Sequence, residues 1–194
     1  MVKNCHRFDR VQQASLDETV TLAPEKINLV TVARLGKEKG VERAVQAIAQ
    51  LGSLREKLHY WVVGDGVQMP LIRQLLEKEH LSSCVTLLGE KSNPYPYMKN
   101  ADLLLIPSVS EAAPLVIGEA ASLGTPVLST RTSSAKEMIL DEDLGWVCEN
   151  SVEGIRQMLK ALLTEPEKIA KMKEKLKERH FDNGAAVEQF EALI

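Results

Sequence analysis

The sequence predicts a doubly wound α/β domain on a parallel sheet of about six strands. Three observations carry that reading. Short apolar runs rich in β-branched residues recur along the chain. Segments with helical spacing alternate with them. The runs are apolar on both faces, as expected of strands covered by helices on both sides.

Taken in order, residues 1–25 are polar and weakly patterned, and read as a linker or lead-in helix ending at Pro24. Residues 27–32 (INLVTV) form the first strand. Residues 39–51 have helical spacing, with Val41, Ala44, Val45 and Ile48 on one face. Residues 59–63 (HYWVV) are a second strand, stopped by Gly64-Asp65-Gly66. A helix over 67–79 carries Leu71, Ile72, Leu75 and Leu76. Residues 85–88 are a third strand, followed by a turn rich in Pro and Tyr at 93–97. Residues 102–106 (DLLLI) are a fourth. Pro114 then opens a helix over 115–123, because a first turn does not need its missing N–H. A fifth strand over 126–129, a short helix over 135–140 and a last strand over 145–148 complete the pattern. Ser151 caps an amphipathic helix over 151–163. A Lys/Glu-rich helix over 167–179 presents mostly a solvated face, and a last helix covers 182–194. The whole reads as a Rossmann-like domain over 26–165 with C-terminal helices over 166–194. No internal repeat is apparent.

Bulk properties narrow the function. The chain has 194 residues, 26% of them charged, and a net charge of −3. Such a balance gives no general drive toward nucleic acid or anionic lipid. Aromatics at 4% are too few for base-stacking platforms. Cys5, Cys84 and Cys148 are far apart and odd in number, so free thiols of a cytoplasmic protein are expected. Neither they nor the four histidines have metal-ligand spacing, so no metal site is expected. No segment reads as a signal peptide or membrane span. A peripheral membrane partner remains compatible.

In a doubly wound sheet, ligands bind at the carboxyl ends of the strands, and the charged and Gly-rich loops all fall there. Arg34 and Lys39 follow the first strand and are placed to neutralise a diphosphate. Two solvated surface charges are the plain alternative, and Lys37 competes with Lys39. Gly64-Asp65-Gly66 reads more simply as a tight turn than as a ligand loop. The loop from Glu90 to Pro94 is placed to hold a nucleobase by its backbone, or is only a stiff connection. Tyr95 and Tyr97 read as packing residues. Glu111 and Glu119 are the sharpest pair. One stands before a helix N-terminus suited to phosphate and the other inside that helix. A carboxylate accepts both vicinal hydroxyls of a ribose well. An acid/base couple for glycoside hydrolysis is disfavoured, because it needs no adjoining phosphate site.

Six motifs in order carry a resemblance: Ala-Arg-Leu-x3-Lys-Gly, Val-Val-Gly-Asp-Gly, Val-x-Leu-Leu-Gly, Asn-Ala-Asp-Leu-Leu-Leu-x-Pro-Ser, Glu-x7-Glu-Ala and Gly-Thr-Pro-Val. The set resembles the donor-binding half of retaining, nucleotide-sugar-dependent glycosyltransferases of group 1, also called family 4, whose enzymes pair two Rossmann-like domains (GT-B). The resemblance implies a UDP-, GDP- or ADP-sugar as donor substrate and no separate cofactor. It implies Arg34 and Lys39 on the diphosphate, Glu111 on the sugar hydroxyls and Glu119 on the ribose. It also implies the amides of Ala112, Ala113, Leu115 and Val116 on sugar and phosphate, with Glu90 and its neighbours around the base. A glycan or lipid-linked acceptor would come through a preceding domain absent from this sequence, so this chain alone is expected to bind donor but transfer little. The wider pattern is most similar to bacterial enzymes of capsule, exopolysaccharide or cell-wall glycan assembly, with peripheral membrane association compatible. Ala112-Ala113 and Ser133-Ser134 depart from the family's usual Gly with a large apolar residue and Gly-Gly. A left-handed backbone at Ala112 would add strain. A non-catalytic nucleotide-sugar module and a nucleotide-sugar epimerase are the rival readings. A flavodoxin- or receiver-like domain is disfavoured by the basic first loop.

Overall fold

The computed structural model describes residues 7–181. The helix expected over 182–194 lies outside them, as does Cys5. Six parallel strands form one sheet in the order β3-β2-β1-β4-β5-β6. They are β1 (Ile27–Val32), β2 (Leu58–Val63), β3 (Val85–Gly89), β4 (Leu103–Ile106), β5 (Val127–Thr130) and β6 (Gly145–Cys148). The helices are α1 (Phe8–Ala14), α2 (Val41–Ala49), α3 (Met69–Lys78), α4 (Tyr95–Asn100), α5 (Val116–Ser122), α6 (Val152–Thr164) and α7 (Glu167–Glu178).

The two-residue period of the strands divides the core. Leu29, Tyr60, Val62, Leu103 and Leu105 face α2, α3 and α6. Val30, Val63, Leu104 and Ile106 face α4, α5 and α7. Both faces are apolar because both are covered, so β4 is buried throughout. Truncating Leu104, which has no exposed surface, would cost about 2–5 kcal/mol. Ser151 Oγ accepts the Gly154 N–H at 2.9 Å and caps α6 as the sequence indicates.

Several boundaries differ from expectation. The stretch 93–97 is not a turn alone, because α4 begins at Tyr95. Its prolines, at the N-cap and the second helical position, lie where no N–H is needed. Asn93 Oδ1 accepts the Tyr95 N–H at 3.2 Å and starts the helix. The helix expected from 39 starts at Val41, because Gly40 takes a left-handed conformation (φ 62°) after a single turn over Lys37–Lys39. The short helix near 135–140 is a wide turn in which the Asp141 N–H reaches the carbonyl of Lys136. Residues 8–14 form a helix packed on α4 and α5, with Val11 buried.

At the amino ends of the strands, Asp102 ties the layers together. It accepts the Asn28 N–H at 2.8 Å and the Lys173 ammonium of α7 at 2.8 Å.

Candidate functional site

Strand order reverses between β1 and β4, which opens a crevice beyond their carboxyl ends. A cavity of about 460 Å³ lies there, walled by Thr31, Arg34, Lys39, Ser108, Glu111 and Leu115 among others. Leu115 also walls a second cavity, of about 700 Å³, which includes Ser92, Asn93, Tyr95 and Glu119.

Main-chain packing builds the first cavity. The Ala33 N–H donates to the Val63 carbonyl at 3.1 Å, and the Leu35 N–H to that of Asp65 at 2.8 Å. The Gly64 N–H reaches the Gly89 carbonyl at 2.8 Å. Gly64 has φ +137°, and a Cβ there would lie 1.9 Å from the Ala33 carbonyl oxygen. Gly64-Asp65-Gly66 is thus a packing turn that steadies the loop of Arg34. Gly40 works likewise against the fourth strand's loop. A Cβ on Gly40 would lie 2.3 Å from the Pro107 carbonyl oxygen, and the Val109 N–H donates to Glu38 at 2.8 Å.

That contact presses the 37–39 turn onto the loop leading to Glu111. Lys39 Nζ lies 2.6 Å from Glu111 Oε1. The side chains are 27% and 11% exposed, so removing one partner costs more than breaking a surface bridge. Of the two lysines the sequence leaves open, Lys39 meets the glutamate, while Lys37 is exposed. Buried Ser108 donates its hydroxyl to the same Oε1 at 2.8 Å. Ser133 Oγ donates to the Glu111 carbonyl at 2.9 Å. The serines that replace Gly-Gly therefore brace the backbone of Glu111. Arg34 reaches the cavity wall but stays outside this network, with an 84% exposed side chain 3.9 Å from Glu38.

The Glu111–Glu119 connection corrects two expectations. Ala112 carries no left-handed strain, since the non-glycine residues with positive φ among those described are Glu25, His80 and Asp143. The helix starts at Val116 with Leu115 as N-cap, so Pro114 precedes it rather than filling its first position. The amides of Leu115 and Val116 head α5, where backbone donors lack helical acceptors. Ala113 walls the first cavity, while Ala112 is exposed.

Glu119 sits inside α5. The Tyr95 hydroxyl donates to its Oε1 at 3.3 Å. Burial pushes the Glu119 carboxyl above the usual carboxylate range, and the Tyr95 hydrogen bond offsets part of this. Tyr97 is a packing residue, as expected, but Tyr95 touches the site. Glu90 is exposed. Among the described residues of its loop, Ser92 and Asn93 reach the cavity wall instead. Ser108 is not singled out from sequence, although the Pro-Ser pair after β4 was a usable signal, and Ser133-Ser134 stand out there only as a departure from Gly-Gly. No group of three or more metal-ligating side chains occurs among the described residues.

The family model described as Glycosyl transferases group 1 matches residues 13–179. The N-acetyl-alpha-D-glucosaminyl L-malate synthase of Bacillus anthracis is 32% identical over 174 residues, which is 87% of this chain and 45% of that protein. The lipopolysaccharide glucosyltransferase WaaG of Escherichia coli is 35% identical over 130 residues, 66% of this chain and 34% of WaaG. This chain thus spans less than half the length of either relative. A crystal structure of WaaG superposes with a TM-score of 0.72 at 26% identity, over 94% of this chain and 50% of the other. Anabaena HepE in complex with UDP has the same fold, with a TM-score of 0.73 at 20% identity over 87% and 48%. With a family match that runs from within α1 to just past α7, this chain belongs to the group 1 glycosyltransferases.

Proposed function

We propose that this chain is the donor-binding half of a retaining glycosyltransferase that takes a nucleotide-diphosphate sugar. One observation carries the reading: the Lys39–Glu111 pair stands on one side of Leu115 and Glu119 on the other. A donor of this kind runs sugar, diphosphate, ribose, and Glu111, Lys39 and Glu119 supply one partner for each. The UDP in the HepE crystal structure supports a nucleotide in this kind of fold.

In this reading Lys39 and Arg34 meet the diphosphate and stabilise the charge that develops as it leaves. Glu111, held by Ser108 and Ser133, accepts sugar hydroxyls and orients the ring for attack. Glu119 accepts the ribose hydroxyls. Without donor, Lys39 and Glu111 neutralise each other. Donor binding substitutes phosphate for Glu111 at the ammonium and hydroxyls for Lys39 at the carboxylate, so neither charge is left bare. The acceptor, a glycan or lipid-linked sugar, would be held by a further domain of the whole enzyme. No described helix is long and apolar enough to cross a membrane. The family assignment disfavours an epimerase, and the unstrained Ala112 removes the physical hint of a degenerate module.

Calorimetric titration with UDP, GDP and ADP tests this, repeated with Glu119→Ala and Lys39→Ala. Saturable binding of one nucleotide, weakened at least tenfold by both substitutions, is expected. Binding indifferent to both would sink the site assignment.

A further inference from the structure

The cavity beyond Leu115 is walled on one side by the segment that reads, from sequence, as a linker or lead-in helix. α1 and its flank place Arg7, Arg10, Val11 and Ala14 three and four residues apart, along one helical stripe. All four wall the 700 Å³ cavity, opposite Tyr95 and Glu119. The helix is fastened over it. Val11 is 4% exposed, Asn93 Nδ2 donates to the Ala14 carbonyl at 2.7 Å, and Gln12 Nε2 reaches the Ser122 carbonyl at 3.4 Å. The charge of Arg10 is felt at Tyr95, where it counters the upward push of burial and of Glu119.

A donor whose diphosphate meets Lys39 and whose ribose meets Glu119, on the wall of this second cavity, has its base within reach of the same cavity. A guanidinium is a donor only. It matches a base edge that offers a carbonyl oxygen, as uracil and guanine do. Against the exocyclic amino group of adenine it would set donor against donor. We propose that Arg10 is a specificity-determining residue that selects donors with an oxo base over adenine. This rests on the donor-binding reading above.

The test is calorimetric titration of the whole chain with UDP, GDP and ADP, comparing wild type, Arg10→Ala, Arg10→Gln and Lys99→Ala. Lys99 is an exposed residue of α4 and serves as a charge-matched control. Wild type and Lys99→Ala should bind UDP or GDP at least tenfold more tightly than ADP. Arg10→Ala should narrow that ratio to within about threefold, by weakening the oxo base alone, and Arg10→Gln should keep part of it. An equal loss for all three nucleotides would show attraction to the diphosphate and overturn the proposal. So would an unchanged ratio, or a wild-type preference for ADP. Failure of wild type to bind any nucleotide would instead overturn the donor site itself, and this proposal with it.

Discussion

At one end of the cleft, Lys39 and Glu111 sit on loops locked backbone to backbone, and their charges cancel at 2.6 Å. At the other end, Glu119 lies on a helix, half-buried, facing a tyrosine hydroxyl and a helix from the far N-terminal side of the chain. The first end is stabilised by its own charges. The second holds a carboxyl whose ionisation burial disfavours, an effect the Tyr95 hydroxyl offsets only in part. On the proposed donor reading, the anion-binding end is rigid and neutral before binding, while the hydroxyl-accepting end holds a strained acceptor and so trades stability for affinity.

The strongest way to break the first end is Gly64→Ala. Its Cβ would collide with the Ala33 carbonyl, and a loss of about 3 kcal/mol or more is expected in chemical denaturation. An unchanged midpoint would mean that the two loops are less interlocked than they look. Next is Lys39→Ala, which leaves a largely buried carboxylate unpaired. It should cost about 2 kcal/mol of stability, between the values for exposed and fully buried pairs. Nucleotide affinity should fall at least tenfold as well, so melting and titration should move together.

Glu119→Gln sharpens the contrast because the two readouts should move apart. Relief of a disfavoured charge should raise the melting temperature at neutral pH by about 1–2 °C, while UDP binding weakens. The pH dependence follows from the raised carboxyl. Its contribution to stability is fully present below the ordinary carboxylate pKa and is lost as pH rises through the folded value. Nucleotide affinity should run the other way, weakening on acidification from a higher pH than an ordinary glutamate would give. The glutamine variant should lack both trends. The smallest effect belongs to Ser133→Ala, where loss of one exposed hydrogen bond to the Glu111 carbonyl should cost about 0.5–1 kcal/mol. A thermal melt would detect it, and no change would assign the bracing to Ser134 alone.

The sheet was legible because runs such as INLVTV and DLLLI are apolar on both faces, which only a doubly covered strand tolerates. The charged site residues were legible as positions, since every one falls on a loop or helix start past a strand. Their pairing was not. The choice of Lys39 over Lys37 depends on how closely Gly40 approaches Pro107, a contact 67 positions along the chain that no local pattern encodes. α4 was obscured because prolines signal both turns and first helical turns. From sequence the lead-in segment stays open between linker and helix, because α1 buries little beyond Val11 and depends on Asn93 for its anchoring.

The interlock among the loops of Ala33, Gly64 and Gly89 has an evolutionary consequence. It is made by main-chain atoms, so apart from the glycine required at position 64 it does not depend on which side chains the loops display. Arg34, Asp65 and Glu90 all project outward from it and are exposed. Substitutions at Arg34 and Glu90 can sample new ligand chemistry without disturbing the frame that presents them, whereas Asp65 also accepts the Gly66 N–H at 2.6 Å. The carboxyl edge of the sheet is thus a mounting plate whose fittings can be exchanged one at a time.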